Sequence, residues 1–471
     1  MKSIALLTLF LTLIIYPVFS QSSQRHRVMI LTDIEADPDD TQSLVRFLLY
    51  SNQWDIEGII ATTSIHQKTR VAPESIDKVL QAYSKIQPNL LRHEKGYPTY
   101  DQLKQKVKKG PAVYGMEAVG EGKDSEGSEW IIQALSKPDD RPIWFSVWGG
   151  PNTLAQALWK IQKTKSAAEA QKMYDKVRIH TISDQDDSGP WIRKTFPSIF
   201  FVVTPGYNYT YATWIAMAFP APGANNEVVS NDWLAKNIQQ GHGPLGAAYP
   251  DVAYGMEGDT PSYLSLIDNG LNDPSHPNFG GWGGRYELYL PEFRDSNGGR
   301  FRRENWPKDE PETRPIWTNA TDSVISTVDN KLYGSNHATI WRWREAYQND
   351  FAARMLWCTK PFNEANHPPV PRLAHPEAFT VRSGELFHLN ADGTTDPDGD
   401  SMSYLWFQYR EAGSYPGKVS FRPYAPNLYD LQVTAPQVTK PETIHFILQV
   451  KDKGTPSLTR YKRVIVTVTP K

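Results

Sequence analysis

Five carboxylates fall within eight positions near the start of the chain: Asp33, Glu35, Asp37, Asp39 and Asp40, in the stretch Asp33-Ile34-Glu35-Ala36-Asp37-Pro38-Asp39-Asp40. Acids this dense repel one another unless a positive charge holds them. A hard divalent cation does so economically, because Ca²⁺ takes many oxygen ligands in a flexible shell. Asp37, Asp39 and Asp40 also suit the start of a helix, as caps and as charges at its positive end. Capping accounts for one or two acids but not for five. A second acidic signal lies far along the chain, in Tyr254-Gly255-Met256-Glu257-Gly258-Asp259-Thr260-Pro261. Asp259 there is either a further oxygen ligand or a plain helix cap.

The elements that position these acids follow from the apolar pattern. Val28 to Leu31 is a short apolar run that reads as a buried strand, and Thr41 to Tyr50 reads as a helix. The acid cluster thus sits where a strand gives way to a helix, which is where open α/β sheets bind ligands. Further strands are expected at 56–65, 143–147, 177–182 and 200–203. Helices are expected at 73–86, at 127–135 and, after the segment 148–155, to about Lys163. Strands alternating with helices imply a doubly wound, mostly parallel sheet. The Lys-rich residues 91–125 read as an exposed insertion, residues 294–316 as a surface excursion, and 338–358 as a terminal helix. From residue 373 short strands separated by Gly, Pro and Asp turns indicate an all-β, Ig-like sandwich. The expected organisation is a leader over 1–20, an α/β domain over 26–360, a stiff Pro-rich linker over 361–372 and a sandwich over 373–471.

Residues beyond the two acidic segments gain interest from their place at strand ends. His66 follows the second strand and could reach the site, or be a loop histidine. Asp184, Asp186, Asp187 and Trp191 follow the fourth and are candidates for sugar contacts. Trp282, in the Gly- and aromatic-rich stretch 276–286, could stack on a sugar or pack in the core. The turn Trp148-Gly149-Gly150-Pro151-Asn152 lets backbone approach a ligand.

The acidic signature resembles that of the nucleoside hydrolases, with Asp33, Asp39 and Asp40 matching and Glu35 in place of an Asp. The whole chain most resembles bacterial proteins described as cellulose-binding and nucleoside-hydrolase-like, in which such a domain precedes a β-sandwich. The resemblance implies a Ca²⁺ held by Glu35, Asp40, the Asn152 carbonyl and Asp259, with Asp33 in support. It implies a calcium-held water as nucleophile, Glu35 or Asp40 as the base that takes its proton, and Asp39 on sugar hydroxyls. Gly258 stands where the family carries a histidine that assists a leaving base, which argues against a plain nucleoside substrate. The expected function is an exported, metal-dependent glycosidase acting on a glycosidic or N-glycosidic bond of a plant-type saccharide. The alternative is a non-catalytic cellulose- or polysaccharide-binding protein that retains the metal scaffold.

Bulk composition sets the remaining bounds. Net charge is −2, so no basic field argues for a nucleic-acid partner. Lys2 followed by an apolar run from Ile4 to Ile15 reads as a secretory leader, too short for stable membrane insertion, so the expected location is secreted or periplasmic. The single cysteine, Cys358, cannot pair within the chain. Fifteen Trp and 23 Tyr suit stacking on carbohydrate, and equally suit aromatic cores.

Overall fold

The computed structural model describes residues 25–207, 209–292, 311–423 and 429–471. The leader lies outside these residues, as does most of the 294–316 excursion.

Strand β1 (His26–Thr32) is apolar on both faces, as a central parallel strand must be. It is followed by α1 (Asp39–Leu49), β2 (Trp54–Ala61), α2 (Pro73–His93), β3 (Val107–Lys109), α3 (Glu126–Ser136), β4 (Ile143–Val147), α4 (Asn152–Thr164), β5 (Val177–Ser183), α5 (Ser188–Thr195) and β6 (Phe200–Thr204). With β7 (Tyr286–Tyr289) and β8 (Ile316–Asn319) they build an eight-stranded sheet of order β3-β2-β1-β4-β5-β6-β8-β7. Every pairing is parallel except β7 with β8. β1 lies between β2 and β4, with Thr32 opposite Ala61 and Leu31 opposite Val147. Chain order reverses there, so the C-terminal ends of β1 and β4 open the crevice in which such sheets place ligands.

Three elements differ from expectation. The Lys-rich stretch contributes β3, an edge strand paired with β2, rather than an insertion. Lysines suit an open edge because charge there blocks pairing with another chain, and Lys108 is held by Glu126 at 3.0 Å. Helix α2 runs past Pro88 to His93, kept helical by the burial of Leu90 and by Asn89, which donates to the carbonyls of Trp357 and Lys360. The expected terminal helix breaks at Arg342-Trp343, giving a short turn (Ala338–Trp341) and α6 (Arg344–Leu356). Arg342 is drawn out of line to Asp322 at 3.0 Å.

After the hairpin of β9 (Asp322–Ile325) and β10 (Leu332–Ser335), the remaining strands form two sheets. One has order β11-β17-β16-β13, built from Ala378–Arg382, Thr459–Thr469, Glu442–Asp452 and Met402–Gln408. The other has order β12-β15-β14, from Leu386–Asn390, Asp430–Thr434 and Phe421–Pro423. Their facing residues, among them Leu389, Val433, Phe446, Leu448 and Val466, close a core of their own.

The sandwich is also fused to the α/β domain. Tyr409, Ala412, Ile447 and Tyr461 belong to the same hydrophobic cluster as Trp282, Trp343 and Phe351. Polar groups tie the joint: Arg460 pairs with Asp350 at 2.6 Å, the Tyr409 hydroxyl donates to Asp322 at 2.6 Å, and Arg463 donates to the carbonyls of Leu271 and Gly280 at 3.0 and 2.8 Å. The linker is packed rather than free. Asn366 and His367 are buried, and Asn366 Nδ2 donates to Asp452 and to the Pro456 carbonyl.

Candidate functional site

Three chain segments meet at the C-terminal end of β1. The first is the strand end itself, Thr32-Asp33, followed by a turn closed by Ala36 N donating to Asp33 O at 2.9 Å. Glu35 takes a left-handed backbone there, at φ 82°, a costly conformation for a residue with a Cβ. The second segment is the start of α1, which brings in Asp39 and Asp40 at the positive end of the helix. Asp39 N donates to Asp37 Oδ1 at 3.0 Å, and the Thr32 hydroxyl donates to Asp40 Oδ1. The third segment carries Asp259.

Asp259 is placed by a buried ion pair. Glu257, two residues earlier, receives Arg46 Nε at 2.5 Å and Nη2 at 3.0 Å, with both side chains fully buried. The Tyr249 hydroxyl and Thr260 Oγ1 also donate to it, and its own N–H donates to Gln42 Oε1. Arg46 and Gln42 both lie on α1, so one helix supplies two acids and anchors the loop bearing the third. Ser262 donates to the Asp259 carbonyl at 2.6 Å. After Asp259 the chain makes one short helical turn, Pro261–Leu264.

Carboxylate oxygens of Asp39, Asp40 and Asp259 lie within 4.8 Å of one another. Burial, then mutual repulsion, pushes all three well above the ordinary carboxylate range. Asp33 is pushed up to about 6, chiefly by burial, with a Ser64 hydrogen bond opposing. Asp259 Oδ2 is buried with no hydrogen-bond partner among the described residues. An all-oxygen donor set with an orphaned buried carboxylate oxygen fits a hard divalent cation, which would relieve both the repulsion and the unmet acceptor.

The acid cluster differs from expectation in two members. Asp39, expected on sugar hydroxyls, stands inside the triad. Glu35, expected as a ligand and base, stands outside it: it is exposed and accepts a hydrogen bond from Ser75 on α2. Asp33 lies beside the triad, buried against Gly149, where a Cβ would fall 2.6 Å from Asp33 Oδ1. Asn152 opens α4, so its carbonyl is among those that accept the helix's own hydrogen bonds. Its side chain donates to Thr63 Oγ1 and the Val113 carbonyl, both at 2.8 Å.

The expected sugar contacts disperse. Asp184 is buried against Arg193 at 2.8 and 2.9 Å and receives Gly206 N, so it braces a loop rather than a ligand. Asp186 is fully buried; its Oδ1 accepts from Ser188, its Oδ2 has no partner among the described residues, and burial pushes its carboxyl up to about 7. Asp187 is exposed and accepts from Met116 N at 2.8 Å. Trp191 is half-buried and packs edge-on to Phe196 at 5.5 Å, against the core beneath α4 and α5. Trp282 is fully buried and faces Tyr347, which removes it from stacking on a ligand. His66 is exposed, with its ring 6.2 Å from that of Tyr209.

Gly258 shows why the family's histidine has no room. A Cβ there would lie 2.6 Å from Asp39 Oδ2 and 3.2 Å from the Trp214 ring. Trp214, whose indole donates to Ser183 Oγ at 3.0 Å, thus walls the pocket, which its sequence context does not reveal. Arg46 carried a signal of sorts, as a lone cation inside the apolar run Leu44–Leu49.

Comparison with known proteins bears directly on this arrangement. Residues 27–286 match a family model described as cellulose-binding Sde182, nucleoside hydrolase-like domain. The chain belongs to this family. Residues 386–468 match the C-terminal domain model of the cellulose-binding protein Sde0182. A solved structure from Saccharophagus degradans, described as a nucleoside hydrolase-related hypothetical protein associated with carbohydrate metabolism, is 36% identical, with a TM-score of 0.78 over 95% of this chain and 100% of its own. The effector proteins XOO4466 and XopQ, the latter solved with adenosine diphosphate ribose, are 10% identical, with TM-scores of 0.36 and 0.35 over 71% of this chain and 93% of theirs. No curated protein matches.

Proposed function

We propose that the acid pocket binds a divalent cation, calcium by its donor chemistry, and hydrolyses a glycosyl bond of a carbohydrate. The observation that carries this is the convergence of Asp33, Asp39, Asp40 and Asp259 from distant segments at the sheet's switch point. Asp39, Asp40 and Asp259 would hold the ion through carboxylate oxygens. A bound cation supplies an activated water and polarises it at neutral pH. Glu35, on the same turn and exposed to solvent, would take a proton from that water once it leaves Ser75 and return it to the departing group. Asp33, beside the cluster, stabilises positive charge developing on the sugar. Membership of a family described as cellulose-binding supports a saccharide over a nucleoside, as does the bare Gly258. The leader-like residues 1–20 support action outside the cytoplasm.

The test is turnover of cell-wall oligosaccharides and nucleosides with Ca²⁺ and with chelator. Asp40→Asn should lose both Ca²⁺ binding and hydrolysis. Glu35→Gln should keep Ca²⁺ binding while hydrolysis falls by about 100-fold, the usual range for a general base. One observation favours a second reading, a carbohydrate-binding protein without catalysis: Glu35 is engaged by Ser75, away from the triad. Calcium binding with no sugar released from any substrate would select it.

A further inference from the structure

A cleft of about 420 Å³ opens where α2, the linker and the sandwich meet, on lining residues that the acid pocket does not share. Its volume lies within the roughly 300–1,000 Å³ of ordinary ligand sites. Phe362 is its platform: the ring is 41% exposed, and it is stacked on His367 at 3.8 Å between centroids. His367 is itself braced. It stacks on Trp357 and His93, each at 5.1 Å, and a hydrogen-bond chain runs from Asp398 through His367 and His93 to the Lys360 carbonyl. A flat ring fixed from behind, with its side open, is what an apolar sugar face stacks on.

The polar lining complements hydroxyls. Asn269 is 2% exposed, and its Oδ1 is held by the N–H groups of Leu271 and Asn272. Its Nδ2 is therefore fixed in orientation, buried, and without a partner among the described residues. Arg354, also lining the cleft and 1% exposed, has an Nη2 in the same condition. Buried donors left unmet are costly. Asp268 lines the cleft as an exposed acceptor, whereas Glu94 already accepts from Asn52 and Arg354. The other cations of the cleft are already matched, Arg460 by Asp350 and Lys462 by Glu377. An exposed acceptor and one stacking ring, among cations already matched, describe a site for a neutral, polyhydroxylated ligand.

We propose that this interdomain cleft binds a neutral glucan segment, through stacking on Phe362 and hydrogen bonds to Asp268 at its rim. The proposal shares the carbohydrate class of the function above but not its site. Neither domain alone builds it, since Asn269 and Arg354 come from the α/β domain, Phe362 from the linker, and Arg460 and Lys462 from the sandwich.

Calorimetric titration of the full chain with cellohexaose in chelator, which leaves the acid pocket without metal, tests this. Wild type and Asp40→Asn should bind alike. Phe362→Ala should weaken binding about ten-fold, and Phe362→Trp should retain it. Asp268→Ala, at the exposed rim and outside the stack, should weaken it about three-fold and covers the case in which Phe362→Ala fails to fold. Absence of binding by wild type overturns the proposal. So does unchanged binding by a folded Phe362→Ala chain, or by Asp268→Ala where that is the variant that folds. Loss of binding in Asp40→Asn would move the sugar to the acid pocket, and also overturns it.

Discussion

Residue scale is where the acid pocket makes its sharpest demand. Asp33, Asp39, Asp40 and Asp259 all have folded-state pKa values above the unfolded carboxylate value, which is about 3.9. A raised folded pKa means that the folded state holds its protons longer. The contribution to stability is therefore full below about pH 4 and is lost as pH rises through the folded values, about 6 for Asp33. A cation replaces those protons. The rise in melting temperature on adding Ca²⁺ should thus grow from pH 5 to pH 7.5, because protons compete for the same oxygens. Melting curves with and without Ca²⁺ at the two pH values check it; a rise that does not change with pH would count against the site. The acids themselves were legible in the sequence, because dense carboxylates on one turn call for a partner. Which acid faces inward was not: the choice between Asp39 and Glu35 is made by a left-handed backbone at one position and by Ser75 forty residues away.

At the scale of elements, α1 joins both halves of the pocket. Its first residues carry Asp39 and Asp40, and its Arg46 holds Glu257 and so the loop bearing Asp259. Arg46→Met removes one partner of a fully buried pair and leaves Glu257 uncompensated. The expected cost is about 3–5 kcal/mol in unfolding free energy. Calcium affinity should fall with it, because Asp259 loses its anchor. Denaturant melts and Ca²⁺ titration read the two effects separately. Strand β4 was legible to the residue, since Ile143 to Val147 is a buried run with no competing signal. The Arg46–Glu257 pair was not, because its partners are 211 positions apart and no local pattern joins them. Trp282 misled for a related reason. An aromatic ring looks the same in sequence whether it faces a ligand or the core, and distant packing partners decide.

For the whole molecule, an α/β part followed by an all-β part was legible in the apolar runs and the turns between them, while the strands Ala378–Arg382, Phe421–Pro423 and Asp430–Thr434 were not. What composition hides is that the parts share one core, through Trp343, Tyr409, Ile447 and Tyr461. The full chain should therefore melt in a single calorimetric transition. The isolated segment 373–471 should be insoluble, or melt at least about 10 °C lower, because it exposes Tyr409 and Tyr461. Two well-separated transitions in the full chain would show that the joint is weaker than its packing indicates.

The bare walls of the acid pocket have a consequence for how the protein can change over time. At Gly149 and Gly258 a single added carbon would press on Asp33 or Asp39. Most replacements at these positions would leave the sheet, the helices and the joint intact while filling the space beside the acids. The protein could therefore lose its acid pocket at either glycine without losing its fold.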